Sequence, residues 1–431
     1  MRRSLAIGLV LTLPLATPAA EDVHMLSVIG EGSLYWPGWR GPSGQGHVRG
    51  SGYTDAWSDT DNVLWRVPVP GRGNSSPIVW GDRIFVTTAR DGGRRLSVLA
   101  YSRSDGALLW ETAVPHEGVE QGHRKNGHAS ATPVTDGTRV YASFGIHGLV
   151  AIDLDGAIVW QSQVGSLRNY HGTAGSPILY RDSVILYHDH GGRSFVAAFD
   201  KESGKKKWST DRKARIGWGT PVVVRAGGRD ELIVSSEDEV NAYDPGTGEP
   251  LWTVGGNTFE VIPTPTVGHG LVFCSSGRAG PTLAIRPGGT GDVTGTHVAW
   301  RASKGSPFIP STIIVGDQLY MVNDMSSIVT SYEAKTGKLV FQGRLGKPRR
   351  ESFSASPVAV DGKVFFTSDS GETFVLQAGP TFKLLHVNRL NARTLASPAL
   401  VDGRWYIRTD RELVCIGRHG PSDRGTPTRR R

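Results

Sequence analysis

The stretch Gly219 to Trp252, GTPVVVRAGGRDELIVSSEDEVNAYDPGTGEPLW, decides the fold of this 431-residue chain. It holds three short runs rich in β-branched or aromatic residues, Pro221 to Val224, Leu232 to Ser235 and Val240 to Tyr243, separated by glycine or charged turns. Such runs read as strands rather than helices. Asp244-Pro245-Gly246-Thr247-Gly248 follows, where proline presets φ and glycine permits positive φ. The chain therefore reverses tightly into a fourth strand carrying Trp252. Four antiparallel strands make one blade.

The unit recurs. Ala, then Asp two residues on, then Gly, then Trp returns as Ala198, Asp200, Gly204 and Trp208, without the Asp as Ala100, Gly106 and Trp110, and shortened as Ala151, Asp153, Gly156 and Trp160. A small alanine beside the turn and a large tryptophan on the outer strand are expected to lock each blade against its neighbour. The tryptophans are core, not ligand platforms.

Each unit opens with Ser or Thr before Pro: Ser76, Thr132, Ser176, Thr220, Thr264, Ser356 and Ser397, with Ser311 following Pro310 instead. Most spacings are about 41 to 47 residues, the length of a four-stranded propeller blade. Eight starts predict eight blades. The last unit lacks its tryptophan-bearing strand, and Asn62 to Pro68, NVLWRVP, supplies one from the other end of the chain. Pairing the two would close the ring and remove two sheet edges. The expectation is an all-β chain with one eight-bladed propeller over 62–417, closed by an N-terminal strand joining the last blade.

The ends lie outside the repeat. Arg2 and Arg3, an apolar run from Leu5 to Leu15 and small residues through Ala20 have the layout of a secretory signal, too short for a membrane anchor. The protein is expected to be exported to the periplasm or cell surface, as a monomer without a transmembrane span. Of the formal charge of +8, most falls in the signal and in the tail 418–431, which reads as a disordered basic end. A nearly neutral propeller argues against a nucleic-acid surface. Cys274 and Cys415 lie in apolar strand patterns of different blades, as free thiols or as one disulfide. Between signal and propeller, 21–61 contains YWPGWRGPSGQG at Tyr35 to Gly46, a folded-back loop whose Trp36 and Trp39 should pack on the propeller wall.

That loop, the repeated Ala/Asp/Gly/Trp blades and RPGGTGDVTGTHVAWR at Arg286 to Arg301 resemble the exported PQQ-like (pyrroloquinoline-quinone-like) β-propeller repeat proteins of planctomycetes and related bacteria. The resemblance spans the mature chain. It implies the propeller fold and, through relatives sharing the repeat, two functions. Quinoprotein dehydrogenases hold PQQ and calcium over the propeller axis; outer-membrane assembly lipoproteins use the ring as a protein-binding scaffold without a cofactor.

Residues shortly before each Ser/Thr-Pro start should converge on the central funnel: Asn74, His128, His171, Trp218, Glu260, Phe308, Phe353 and Arg393. This mixture of polar, cationic and aromatic groups suits a small-molecule pocket. The histidine-rich loop from His116 to His128 and the His188-Asp189-His190 run show no dedicated metal spacing and read as solvated or structural. The quinoprotein resemblance implies an adjacent Cys-Cys pair and calcium carboxylates; the cysteines here are far apart, and Glu260 and Asp189 are the carboxylates on offer. No GxSxG elbow, phosphate loop or catalytic triad emerges, and GGTGDVTG at Gly288 to Gly295 reads as a lengthened turn leading to a strand. The leading expectation is a noncatalytic, cofactor-free scaffold binding a periplasmic or cell-surface protein or a small molecule at the funnel face. Alternatives are a PQQ- and calcium-dependent dehydrogenase of alcohols or sugars, and carbohydrate binding through Trp36, Trp39 and Trp218.

Overall fold

Runs of β-branched and other apolar residues bury both faces of the middle strands between neighbouring blades, as in Ser183–His188 and Leu271–Ser275, and the eight repeats stack around an axis. The computed structural model describes residues 23–48, 50–165, 168–277, 280–347 and 352–418. The predicted signal and nearly all of the predicted tail lie outside these residues.

Eight antiparallel sheets form the propeller. Blade 1 begins at Ile78–Trp80, blade 2 at Val134–Thr135, blade 3 at Ile178–Tyr180 and blade 4 at Val222–Ala226. Blades 5 to 8 begin at Thr266–Gly268, Ile313–Val315, Val358–Val360 and Ala399–Val401. These first strands lie nearest the axis within the repeat, and those of blades 1 and 2, 8 and 1, 5 and 6, and 6 and 7 touch. Blade 8 is completed by Val63–Pro68, which pairs with Glu412–Ile416 and sets Trp65 opposite Cys415. The expected closure is present.

The alanine and tryptophan of the repeat meet as expected. Ala100 faces Trp110, Ala151 faces Trp160, Ala198 faces Trp208 and Ala242 faces Trp252 across the outer strand pair, with a register irregularity beside each pairing. The turn glycine answers a different need. Gly106, Gly156, Gly204 and Gly248 all have positive φ, and a Cβ on each would lie 2.4 to 3.0 Å from the ring of Trp65, Trp110, Trp160 or Trp208 of the preceding blade. Several indole N–H groups also donate across the seam, Trp110 to the Leu154 carbonyl at 2.9 Å and Trp160 to that of Lys201 at 3.0 Å. Each tryptophan is thus a clamp between blades.

Both cysteines are free and buried, Cys274 in blade 5 and Cys415 in blade 8. Burial pushes each thiol up to about 12, so both are inert apolar packing groups. The Gly288 to Gly295 turn is more structured than expected. Gly291–Asp292 adds a parallel strand to the outer edge of blade 4, and a four-residue helix, Thr294–His297, precedes the last strand of blade 5. The Asp292 carboxylate takes the Thr294 N–H at 2.9 Å, which favours the helical turn over a simple reversal. The segment after the predicted signal adds the strand His24–Met25 to the innermost edge of blade 4. Farther on, Tyr53 and Trp57 pack with Trp405, and Trp57 stacks on Phe365.

Candidate functional site

The Ser/Thr residues that open the blades form a closed ring. The backbone N–H of each donates to the side-chain oxygen of the next: Ser76 to Thr132, Thr132 to Ser176, Ser176 to Thr220, Thr220 to Thr264. Thr264 donates to Ser311, Ser311 to Ser356, Ser356 to Ser397, and Ser397 back to Ser76. The eight bonds measure 2.8 to 3.4 Å. At seven of the eight positions the following proline has no N–H to compete, and its fixed φ aims the chain into the inner strand; Ser311 is followed by Thr312.

The ring divides the axis into two halves. Below it, residues 36–48 cross the channel and bond to inner strands of several blades. Trp36 pairs with Val79, Thr135 donates to the Pro37 carbonyl, and Ala359 donates to the Gly46 carbonyl. Arg40 donates to the Thr312 carbonyl, and Gln45 accepts the Val267 N–H. Trp39 rises into the channel, where its indole N–H donates to Thr264 Oγ1 at 2.9 Å. Trp36 packs on the wall as expected and is 1% exposed, whereas Trp39 points into the channel. Above the ring lies a cavity of about 450 Å³ with Trp39 and six ring residues among its lining.

One wall is aromatic. His171 stacks on Trp218 with ring centres 6.0 Å apart and meets His123 at 4.4 Å. The Trp218 indole donates to the Gly172 carbonyl at 2.7 Å. Tyr170 packs edge-on to Trp218, and its hydroxyl donates to Glu260 Oε1 at 2.5 Å. Glu260 is buried and has a φ of 60°, a conformation that non-glycine residues adopt at a cost.

The long loop after blade 1 roofs part of the mouth. His123 and Asn126 exchange two backbone hydrogen bonds. Asn126 Nδ2 donates to the His171 carbonyl and Asn74 Nδ2 to the Lys125 carbonyl. Lys125 Nζ reaches Ser352 Oγ and Asp369 Oδ2 of blade 7, each at 2.7 Å. His123 sits below the ordinary imidazole range because of burial, then the neighbouring His171, Arg124 and Lys125. Across the funnel stand Phe308, Ile309, Met325 and Asp324. The Asp324 carboxylate accepts the Phe308 N–H at 3.0 Å, and burial raises it above the usual carboxylate range.

Of the residues expected at the funnel, Asn74, His171, Trp218, Glu260 and Phe308 line it together. Three do not. Arg393 is at the rim, donating to the Arg124 carbonyl at 3.3 Å. His128 packs behind the loop against Gly93. Phe353 is fully buried against Phe374, because Ser352 and Ser354 on either side point into the funnel and an extended chain alternates. Asp324 and Ser352 were not anticipated, Trp39 was expected on the propeller wall or as a carbohydrate platform, Lys125 lay in a loop read as solvated or structural, and the Ser/Thr starts were read only as blade markers. Trp39, conspicuous in a Gly/Pro-rich loop, and the repeated Ser/Thr-Pro starts carried a signal in the sequence, whereas Asp324 and Ser352 carried none.

The remaining candidates are dispersed. Asp189 is fully buried in an ion pair with Arg212 at 2.8 Å, and Arg212 also reaches Asn241 and the Tyr243 hydroxyl. His188 and His190 are buried beside it rather than solvated. Of the groups the quinoprotein resemblance implies, the cysteines sit in separate blade cores and Asp189 is held in an ion pair by Arg212. Among the described residues no three His, Cys, Asp or Glu side chains are grouped to hold a metal. Nor is any helix among them long and apolar enough to cross a membrane.

Comparison with known proteins is consistent with this architecture. The family described as outer membrane protein assembly factor BamB matches residues 48–192 and 192–419. A tetrathionate hydrolase from Acidithiobacillus ferrooxidans is 22% identical over 374 residues, 81% of this chain and 65% of that protein, so the chain spans less than two thirds of this relative. BamB from Moraxella catarrhalis superposes with a TM-score of 0.61 at 15% identity, covering 83% of this chain and 98% of that one. A quinohemoprotein alcohol dehydrogenase from Comamonas testosteroni gives 0.64 at 12% identity, covering 90% and 81%. At these identities the structural likenesses establish the fold alone.

Proposed function

The chain belongs to the family of the outer membrane protein assembly factor BamB, and from that premise we propose that it is an exported, noncatalytic propeller that binds a small ligand in its axial funnel. One observation carries the reading: a cavity of about 450 Å³ lies on the axis, lined by six ring residues and by Trp39, whose indole bonds to Thr264. Cavities of this size enclose small molecules, with apolar walls for contact area and a few polar groups for orientation. Phe308, Ile309 and Leu395 supply the first, and His171, Glu260, Asn74 and Lys125 the second. Export rests on the apolar run Leu5 to Leu15 behind Arg2 and Arg3. The scattered cysteines and carboxylates favour a site that works without a quinone cofactor.

The test is a thermal-shift screen of small polar and anionic compounds against the wild type and Ala174→Trp, which places an indole in the funnel. Compounds that stabilise only the wild type support the reading. Hits that stabilise both proteins equally place binding elsewhere and refute it.

A hydrolytic reading has one specific support. Glu260 and Asp324 both line the funnel, and burial raises Asp324 above the usual carboxylate range, the direction in which a general acid is tuned. The relative named tetrathionate hydrolase suggests the first substrate to try. Turnover of tetrathionate that Asp324→Asn abolishes would replace the noncatalytic reading.

A further inference from the structure

The turn His123-Arg124-Lys125-Asn126 is a rigid tip on loose ends. Its first and last residues exchange backbone hydrogen bonds of 2.7 and 2.9 Å, which makes the four residues one unit. Gly122 and Gly127 bracket that unit. A Cβ on Gly127 would meet nothing within 4 Å, and the atoms nearest a Cβ on Gly122 belong to His128 and Asn126 of the same loop. The rest of the propeller therefore does not pin either glycine, and glycine lets the backbone swing at both ends of the tip.

What fastens the tip is polar throughout. From Pro115 to His128 no apolar side chain is buried, so the segment adds nothing to the hydrophobic core. Segments held in this way sit at the low end of a protein's range of local stabilities. Asn126 donates to the His171 carbonyl at 2.8 Å, Asn74 to the Lys125 carbonyl at 2.9 Å and Arg393 to the Arg124 carbonyl at 3.3 Å. One tie is charged. Lys125 Nζ crosses to Asp369 Oδ2 and Ser352 Oγ, each at 2.7 Å, with Ser354 Oγ at 3.5 Å. The other carboxylate oxygen, Asp369 Oδ1, is buried without a hydrogen-bond partner among the described residues. Burial raises the nearby Asp324 carboxyl, and the Lys125 charge acts against that rise. Withdrawing Lys125 thus strips two carboxylates of one cation, which opposes opening. The tip is easy to hinge and is held shut at one point.

We propose that His123 to Asn126 form a lid over the axial funnel, hinged at Gly122 and Gly127 and latched by Lys125 on Asp369, which lifts to admit the ligand. The inference rests on the funnel being the ligand site. All four tip residues line that cavity, as do Ser352 and Ser354 beside the latch. Lifting the tip breaks the ion pair and a few hydrogen bonds and leaves every blade intact.

The experiment places a thiol behind the lid with Ala174→Cys, on the funnel wall, and follows its modification by a fluorescent maleimide, with labelled sites identified by peptide mass spectrometry. Cys274 and Cys415, both fully buried, serve as internal reporters of unfolding. Asp369→Asn removes the charge of the latch and keeps its shape. Added to Ala174→Cys, it is expected to speed labelling of position 174 about tenfold, the worth of one hydrogen bond between charged groups, while Cys274 and Cys415 stay unlabelled. Lys125→Met should give the same acceleration, and combining it with Asp369→Asn should give no more than either alone, because both break one contact. If Asp369→Asn does not fold, Lys125→Met decides. Equal rates with and without the latch overturn the inference, as does acceleration accompanied by labelling of Cys274 or Cys415. Additive acceleration, which means that the two residues act separately, overturns the latch. These rates are read without ligand, so they are independent of the compound screen. Unchanged labelling beside a successful screen overturns the lid alone, and accelerated labelling beside a failed screen refutes the funnel reading but not the movement.

Discussion

The backbone N–H of Ser397 lies 3.1 Å from Oγ of Ser76, joining two residues 321 positions apart. This is the bond that turns seven local contacts between successive blades into a ring. Its neighbour in the closure is the strand Val63–Pro68 paired with Glu412–Ile416. The inner and outer edges of blade 8 are thus tied independently to the start of the chain.

Removing one ring acceptor should therefore be felt globally. Ser397→Ala leaves the buried Ser356 N–H without its partner, at a cost of about 1–3 kcal/mol, measurable by denaturant unfolding. Ser397→Thr keeps the oxygen and should retain wild-type stability, as Thr132, Thr220 and Thr264 serve the same role.

Substitution of a turn glycine should loosen a blade seam. Gly106 has a φ of 77°, and a Cβ there would lie 2.8 Å from Trp65. Gly106→Val combines a disfavoured backbone with overpacking and is expected to cost at least about 2 kcal/mol. A loss of Trp65 fluorescence change on unfolding, with the melting temperature lowered, would report it.

The buried pair in blade 3 makes a prediction of opposite shapes for single and double variants. Arg212→Met strands the fully buried Asp189 and should destabilise by about 3–5 kcal/mol. Adding Asp189→Leu should recover part of that loss. Equilibrium unfolding of both variants checks the difference.

Glu120 supplies a pH dependence. Its carboxyl is largely buried, accepts the Thr173 hydroxyl at 3.2 Å, and is pushed up by burial to about 7. Because the folded value exceeds the unfolded one, near 4.5, its relative stabilisation is full below pH 4.5 and is lost as pH rises through about 7. Glu120→Gln should be more stable than wild type at pH 8, by on the order of 1–3 kcal/mol, and show no such advantage at pH 4.5. Melting curves at the two pH values decide it.

Much of this architecture is legible in the sequence because each blade repeats the same physical solution. The Ala and Trp spacing, the glycine turn and the Ser/Thr start each serve a contact that recurs around the ring, and even the missing outer strand could be located at Asn62 to Pro68. The funnel was legible only in part, since its residues belong to loops without a repeat. Phe353 was placed one residue out of phase with the wall, and Asp324 enters from a turn that carries no motif. Trp39 looked like wall packing, because nothing local tells a loop that covers the propeller from one that crosses its axis. Its bond to Thr264, 225 residues away, is a property of the closed ring.

The most direct test is photocrosslinking in the native host, with a benzoylphenylalanine at Phe308 on the funnel wall and, as control, at the exposed Leu339 on the outer strand of blade 6. The account predicts a small-molecule adduct at position 308, read by intact-mass spectrometry, and none at 339. A protein-sized adduct at 308, or the same adducts at both positions, would contradict a funnel built for a small ligand.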